Sequence, residues 1–318
     1  MKPIPQKKPK TLVVKLGSSI IAPGGKFDQT VVNALVQDVI LAQESGYNVV
    51  LISSGAIAFG MQSLGYKKRP QETHVLMALS SLGQIALMDT YAKEFAARNR
   101  RCAQMLLTWD DFEHRKRFIH IQHTLTQLFS FGVVPIINEN DAVSLDEIRF
   151  GDNDRLSALV ATAIHADLLV ILSDVEGLLD GKVIVPQVEE ITKQTFSLVK
   201  RKDSGFTSGG MVTKLQAAQM ATLSGVPDVI TSGSQLGVIT RLVKGELVGT
   251  RFLSAKQSHR ARKSWIAFGK KPKGKIYVDH GAQKALVDGG RSLLAVGITK
   301  VEGNFRVQIG RASCRERV

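Results

Sequence analysis

Short apolar segments rich in Val, Ile and Leu alternate along the chain with helical patterns of apolar residues, and this alternation most constrains the fold. Strands that are joined by helices typically pair in parallel, and a parallel sheet is covered by helices on both faces. The predicted strands are 11–16, 48–52, 101–107, 133–138, 167–172, 227–230 and 249–253. We therefore predict an α/β fold, a three-layer sandwich with a mainly parallel central sheet.

Polar residues follow several of these strands, most densely after the strand at 133–138. Asn138 to Asp141 come in a run at its carboxyl end, and Asp152 to Asp154 then lead into a helical pattern. Open α/β sheets bind their ligands at the carboxyl ends of strands. Asn and Asp also cap helices and close turns, which would explain one such cluster. Two clusters, separated by a short hairpin-like segment at 142–150, favour a ligand site.

Two lysines lie where they could face phosphate. Lys15 lies near the end of a predicted buried strand, where a lysine is seldom left without a partner, and small polar residues follow it. Lys214 lies one turn inside a helix that a glycine-rich segment precedes, and the amides at such a helix start bind anions. An ordinary glycine-rich loop is the alternative, but we expect phosphate binding here.

The familiar nucleotide-binding signatures are missing. No G-x-G-x-x-G motif follows the first strand, and residues 269–275 resemble a Walker A loop in which Ile276 replaces the required Ser or Thr. Two lysines with carboxylates and amides between them instead suggest phosphoryl transfer on another scaffold, since that reaction needs mainly positioning and charge neutralisation.

The charge of the chain is uneven. The formal net charge is +14, and from residue 259 onward fourteen lysines and arginines face four acidic residues. A basic segment on a nearly neutral body suggests contact with a polyanion, although a solvated surface would look the same. Two cysteines argue against a disulfide framework and fit a reducing compartment, so we expect a cytoplasmic protein. We see neither a secretory leader nor an apolar run of membrane-spanning length.

Six segments, taken in order, resemble the glutamate 5-kinases of the amino acid kinase superfamily. They are 13–19 (VVKLGSS), 53–58 (SSGAIA), 104–108 (QMLLT), 137–143 (INENDAV), 151–158 (GDNDRLSA) and 209–218 (GGMVTKLQAA). The resemblance covers roughly residues 10 to 255. It implies phosphorylation of the γ-carboxylate of glutamate by ATP, the first step of proline synthesis, with Mg²⁺ carried on the ATP phosphates and no metal site on the protein.

The resemblance also implies roles for particular residues. Lys15 and Lys214 would stabilise the transferring phosphoryl group and Asp154 would orient them, which makes these three the catalytic residues. Ser54, Asp141 and Asn153 would hold glutamate. The residues implied in ATP binding are Lys15, Ser173, Asp174, Ser208, Gly209, Gly210, Met211, Val212, Thr213 and Lys214. Ser173 and Ser208 stand where Thr is common in the family, a change that keeps the hydroxyl group.

The last part of the chain looks like the beginning of the family's C-terminal PUA domain. We expect a basic N-terminal tail at 1–9, an amino acid kinase domain at 10–258, a partial PUA-like small β domain at 263–309 and a non-native tail at 310–318. PUA folds elsewhere bind RNA, so RNA is a candidate partner of the basic segment. The resemblance further implies a homo-oligomer and feedback inhibition by proline.

Other functions stay open at this point. The same fold could serve acetylglutamate, aspartate or a nucleoside monophosphate as acceptor, although the SSGAIA and INENDAV segments favour glutamate. A protein from another class, an RNA-binding protein with a vestigial kinase core, is a further alternative. Against it, Lys15, Lys214 and Asp154 are all present.

Overall fold

Eight strands form one sheet in the computed structural model of the protein, which describes residues 9–25, 27–143, 152–199, 210–235, 237–255 and 274–303. The strands are β1 (Lys10–Leu16), β2 (Tyr47–Ser53), β3 (Cys102–Leu107), β4 (Val134–Glu139), β5 (Leu168–Ser173), β6 (Leu179–Asp180), β7 (Val183–Ile184), β8 (Gln187–Val188), β9 (Asp228–Ser232), β10 (Thr250–Phe252), β11 (Gly274–Val278) and β12 (Ile298–Gly303). The sheet order is β3-β4-β2-β1-β5-β9-β10-β8, while β6 and β7 form a separate hairpin.

Neighbouring strands of the large sheet pair in parallel, except for the antiparallel pair of β9 and β10. The helices of the sandwich are α1 (Ser18–Ile21), α2 (Gln29–Glu44), α3 (Ala56–Ser63), α4 (Thr73–Ala96), α5 (Trp109–Glu113), α6 (Arg115–Ser130), α7 (Asp152–Ile164), α8 (Lys193–Ser197), α9 (Met211–Leu223) and α10 (Val238–Val243). Helix α11 (His280–Val287) follows β11. The strand order changes direction at β1, because β2 lies on one side of it and β5 on the other. Crevices at such switch points are where α/β sheets bind ligands.

The residues of β1 alternate between the two faces of the sheet, as the strand period requires. Val13 belongs to the core cluster that includes apolar residues of α7 and α9, whereas Leu12, Val14 and Leu16 belong to the cluster that includes residues of α2 and α4. Helices therefore cover both faces, and the predicted three-layer α/β sandwich with a mainly parallel sheet is confirmed. By the same alternation, Lys15 lies on the face of Val13.

Helix α4 is the most apolar long helix of the described part of the chain. By length and composition alone it could cross a membrane, and 39% of its most apolar stretch of 18 residues is buried in the fold. Within the fold, its residues Leu87, Tyr91 and Phe95 are fully buried and belong to the core cluster that includes α2. The apolar composition of α4 therefore serves packing against the sheet and its neighbouring helices.

Helices α3 and α4 approach each other very closely at two glycines. A Cβ atom on Gly60 would lie 2.0 Å from the carbonyl oxygen of Leu79, and one on Gly83 would lie 1.9 Å from that of Ala56. Only glycine fits at such a distance, so this pair fixes α4 against the helix that begins directly after β2.

A long-range cap joins α2 to α10. The carboxylate of Asp38, buried in α2, accepts hydrogen bonds from the backbone amides of Ile239 (2.7 Å) and Thr240 (2.8 Å) and from the Thr240 hydroxyl group. These amides are donors that a helix start leaves without intrahelical partners. Asp38 satisfies them from a helix two hundred residues away in the sequence.

The C-terminal segment at 274–303 contains β11, α11 and β12. The two strands pair in antiparallel fashion, and Asp279 caps α11 by accepting a hydrogen bond from the amide of Ala282 (2.7 Å). This pair agrees with the predicted small β domain. The predicted domain limits at 258, 263 and 309 and the tails 1–8 and 310–318 lie outside the described residues, so these boundaries stay predictions.

Candidate active site

One carboxylate lies between two lysines at the carboxyl end of β1. The Nζ atom of Lys15 is 2.6 Å from Oδ1 of Asp154, and the Nζ atom of Lys214 is 3.4 Å from Oδ2. Asp154 lies in the first turn of α7, and Lys214 lies in the first turn of α9. The three residues predicted to be catalytic therefore meet in space, although Lys15 and Lys214 are far apart in sequence.

This group is buried. Asp154 is 1% exposed, Lys214 5% and Lys15 6%. The hydroxyl group of Thr213 donates a further hydrogen bond to Oδ2 of Asp154, at 2.8 Å. Because two ammonium groups share one carboxylate, the group keeps one net positive charge in a place from which water is largely excluded. Such a charge attracts an anion strongly.

The pKa values of Asp154 and Lys214 reflect this competition between burial and charge. Burial by itself raises the pKa of Asp154, but the charges of Lys15 and Lys214 outweigh burial and hold it below the ordinary value. Burial lowers the pKa of Lys214, and the positive charge of Lys15 lowers it further. The negative charges of Asp154 and Asp174 act in the opposite direction and raise it. Asp154 is therefore ionised at neutral pH and acts as an anchor for the lysines.

A second group of polar side chains lies at the ends of β2 and β4. The side-chain amide of Asn153 donates to the hydroxyl group of Ser54 (2.8 Å) and to Oδ1 of Asn138 (2.9 Å). Asn153 directly precedes Asp154 in α7. Two of the three residues predicted to hold glutamate, Ser54 and Asn153, are thus in contact, beside the group that holds both lysines.

Asp141 follows β4 at the same edge of the sheet, and α4 holds it. The Ser80 hydroxyl group donates to Oδ2 of Asp141 at 2.7 Å. One turn further along α4, Oε1 of Gln84 accepts a hydrogen bond from the Asn138 side chain at 2.8 Å. Near the other end of α4, the Tyr91 hydroxyl group lies 3.0 Å from Oγ of Ser53, and burial raises the pKa of Tyr91 to about 12.

The residues predicted to bind ATP lie around the same edge where they are described. Ser173 ends β5 and is hydrogen bonded to the side chain of Asp174 (3.0 Å), which is exposed. Gly210 precedes α9, whose first turn holds Met211, Val212 and Thr213. Ser208 and Gly209 lie outside the described residues. Among the described residues, no side chain caps α9, which leaves its first amides available to an anion.

Some features of this site could not be read from the sequence. Ser80 and Gln84 lie within a long apolar helix, where a serine or glutamine gives no signal of function. Asn138 was part of the polar run after β4 but had no predicted role. Thr213 was expected to bind ATP, and the structure adds its hydrogen bond to Asp154.

Residues 10–232 match the amino acid kinase family, and residues 274–308 match the PUA domain. The chain belongs to the amino acid kinase family. The predicted resemblance is therefore confirmed for the family and for the presence of a PUA match near the C-terminus.

Three relatives of this chain are named glutamate 5-kinase. Glutamate 5-kinase of Methylococcus capsulatus is 43% identical over 303 residues, which are 93% of this chain and 81% of that protein. Glutamate 5-kinase of Syntrophotalea carbinolica has the same identity and coverage, and that of Caldanaerobacter subterraneus is 41% identical over 304 residues, 93% of this chain and 82% of that protein.

Solved structures of proteins with much lower sequence identity share the fold. Carbamate kinase from Giardia lamblia bound to AMP-PNP superposes with a TM-score of 0.55 at 20% identity, over 78% of this chain and 99% of that chain. UMP kinase from Bacillus anthracis gives a TM-score of 0.52 at 14% identity, over 78% of this chain and 97% of that chain. At these identities the likeness describes the architecture alone.

Proposed function

We propose that this protein is an enzyme that transfers the γ-phosphoryl group of ATP to the γ-carboxylate of L-glutamate, which gives γ-glutamyl 5-phosphate and ADP and begins proline biosynthesis. The observation that carries the proposal is the buried contact of Lys15, Asp154 and Lys214 beside the hydrogen-bonded pair of Ser54 and Asn153. The name shared by relatives at 40–43% identity supports glutamate as the acceptor.

The reaction requires the protein mainly to position the two substrates and to neutralise the developing charge. An oxygen of the glutamate γ-carboxylate forms a bond to the γ-phosphorus while the bond to the β–γ bridging oxygen breaks, and the electron pair leaves with ADP. A carboxylate is already ionised at neutral pH, so the attack needs no general base. This agrees with a site made of lysines, amides and a carboxylate that is already engaged by two cations.

Each lysine contributes a buried positive charge at the place where phosphate charge develops. Preorganised charges in a site of low polarity stabilise such a transition state more strongly than they would in water. The start of α9, where no described side chain forms a cap, would add backbone amide donors. Mg²⁺, when it is carried in on the nucleotide phosphates, supplies further neutralisation of their charge. Asp154 keeps both lysines in position throughout the transfer.

The residues around this group would bind the two substrates. Asp141 suits the α-ammonium group of glutamate, because a carboxylate is the natural acceptor for a cation. Ser54 and Asn153 offer neutral hydrogen bonds to the substrate carboxylates. Ser173, Asp174 and residues 208–213 would contact ATP. Feedback inhibition by proline and a homo-oligomeric state follow from the resemblance, and a cytoplasmic location follows from the low number of cysteines; all three stay predictions.

The test is ATP-dependent formation of a hydroxamate from glutamate and hydroxylamine, run beside aspartate and acetylglutamate. We expect turnover with glutamate and little with the other two acceptors. Turnover that prefers aspartate or acetylglutamate would assign a different acceptor to the same fold. If correctly folded protein gives no product from glutamate, the proposed function is wrong.

A further inference from the structure

Helix α4 presents a row of polar groups to the carboxyl ends of β2 and β4. Ser80, Gln84 and Tyr91 lie four and seven residues apart, which places them on one side of a helix. All three are buried, and each is hydrogen bonded to a residue at a strand end: Asp141, Asn138 and Ser53. The core face of a helix is normally apolar, so three polar contacts along it require an explanation.

The contacts of Ser80 and Gln84 lead directly to the residues proposed to hold glutamate. Ser80 donates to Oδ2 of Asp141, and this bond fixes the orientation of the carboxylate. Gln84 binds the amide nitrogen of Asn138, which turns Oδ1 of Asn138 toward Asn153. The two residues thus set the orientation of both sides of the glutamate site without reaching the phosphoryl-transfer group.

We infer that Ser80 and Gln84 are positioning residues for the amino acid substrate, with Ser80 acting through Asp141 and Gln84 acting through Asn138 and Asn153. This inference rests on the proposed function, because it assigns Asp141 to the substrate ammonium group. A carboxylate whose orientation is fixed by a hydrogen bond is ready to accept that group, whereas a less constrained one must first be ordered. Loss of the Ser80 or Gln84 contact should therefore weaken the binding of glutamate and leave the binding of ATP unchanged.

The central experiment measures kcat and both KM values for Ser80→Ala. Loss of one hydrogen bond to a charged group corresponds to about a tenfold change in binding, so we expect the glutamate KM to rise about tenfold. The kcat value and the ATP KM should stay near those of the unmodified protein. Ser80→Thr, which retains the hydroxyl group, should restore most of the glutamate affinity.

Ser81→Ala is the matched control. It makes the same chemical change on the next residue of α4, where the side chain is exposed and its hydroxyl group only donates to the carbonyl of Met77 (3.0 Å). We expect this variant to keep the original kinetics. Gln84→Met, which keeps the length of the side chain but removes the acceptor, should raise the glutamate KM in the same way as Ser80→Ala.

A double-mutant cycle shows whether Ser80 acts through Asp141. In an Asp141→Asn background, Ser80→Ala should have little further effect on the glutamate KM, since the group that it orients is already altered. Equal effects of Ser80→Ala in both backgrounds, or a rise in the ATP KM that matches the rise for glutamate, would overturn the inference. Absence of glutamate turnover in the unmodified, folded protein would instead overturn the proposed function.

Discussion

At the level of single residues, Asp154 decides the charge of the site. It lies between two buried lysines and accepts from Thr213, so its removal would take away the carboxylate that both cations share. A charge that is buried and unpaired is costly, and lysines respond by losing their protons more easily. The net charge of this group and the pKa of Lys214 therefore depend strongly on Asp154.

We predict that Asp154→Asn lowers kcat by on the order of 10²-fold, because the lysines lose their orientation. The pH dependence should change as well. The pKa of Lys214 is lowered from 10.5 by burial, and Asp154 opposes that shift. Without Asp154 the pKa of Lys214 falls further, so the alkaline decline of kcat should begin at lower pH. A kcat profile from pH 6 to 10 measures this.

Asp180→Asn serves as the control for that profile, since Asp180 is an exposed carboxylate in the β6–β7 hairpin. It should leave both kcat and the alkaline limb in place. An Asp154→Asn profile with an unchanged alkaline limb would mean that Lys214 does not titrate in the step that limits turnover.

Asp228 is another buried carboxyl group, and it has no place in the proposed chemistry. It lies at the start of β9 and is fully buried, and burial raises its pKa well above the ordinary 3.8, with the Val229 amide only partly opposing this. The unfolded chain ionises this group above about pH 4, whereas the folded chain keeps it protonated. The contribution of Asp228 to the free energy of unfolding is therefore most favourable at low pH, and it decreases as the pH rises.

We predict that Asp228→Asn, which resembles the protonated carboxyl group, stabilises the protein at neutral pH. The free energy of unfolding of the variant should exceed that of the original by an amount that grows above pH 4 by at most about 1.4 kcal/mol per pH unit, until the folded group ionises. Urea unfolding at pH 5 and pH 8 would measure the difference. A gap that stays constant between these pH values would contradict the assigned protonation state.

At the level of elements, the crossing of α3 and α4 controls how α4 meets the sheet. Gly60 and Gly83 allow the two helix backbones to touch, and α3 begins just after Ser54 while α4 carries Ser80. Residues from both helices therefore reach the proposed glutamate site. A change in the distance between the helices would move these residues relative to each other.

We predict that Gly83→Ala destabilises the protein by about 1–3 kcal/mol, as overpacking usually does, although alanine favours a helix over glycine by about 1 kcal/mol. The glutamate KM should rise together with the loss of stability. Thermal unfolding and steady-state kinetics measure the two effects. If the variant were more stable than the original, the backbones of α3 and α4 could not be in contact at this position.

The elements themselves were largely predictable from the sequence, and their side-chain contacts were not. The strands that form β1, β2, β4 and β5 and the long helix α4 follow from apolar periodicity. Helix α3 was missed, because its eight residues are mostly small or apolar and show no clear stripe. Residues 109–130 form two helices, α5 and α6, and apolar periodicity does not reveal the extended backbone of His114 that separates them.

The same limit applies to the site. Lys15, Asp154 and Lys214 could be chosen because their sequence surroundings resemble a known family, and the structure brings them into contact. The link between Ser80 and Asp141 spans sixty-one residues and depends on how α4 lies over β4. Periodicity describes one element at a time, so it carries no information on such pairs.

At the level of the whole molecule, the proposed chemistry and the basic charge lie in different parts of the chain. The proposed site residues fall between Lys15 and Lys214, whereas the basic excess follows residue 258. In the described part of that excess, Lys300 lies over the ring of Tyr277 (5.4 Å from its centroid) and pairs with Glu302 (2.6 Å). A lysine with an aromatic ring is a combination that RNA-binding surfaces use.

We predict that a variant that ends at residue 258 keeps the glutamate and ATP KM values of the full chain. RNA binding, if the basic segment carries it, should be present in the full chain, weaken with added salt and be lost in the shortened variant. Steady-state kinetics and RNA titrations at two salt concentrations measure both. A shortened variant that folds but no longer turns over glutamate would show that the C-terminal segment takes part in the activity.

The ultraviolet absorbance of Tyr91 can report on the contact between α4 and β2, because its hydroxyl group lies beside Ser53. Of the four tyrosines in the chain, it is fully buried, whereas Tyr66 and Tyr277 are exposed to solvent. Burial raises the pKa of its phenol to about 12, and the hydrogen bond with Ser53 opposes this shift only in part. Phenolate absorbance from Tyr91 at a lower alkaline pH therefore reports that α4 has left the strand ends, so an ultraviolet titration follows the loosening of the helix that carries Ser80.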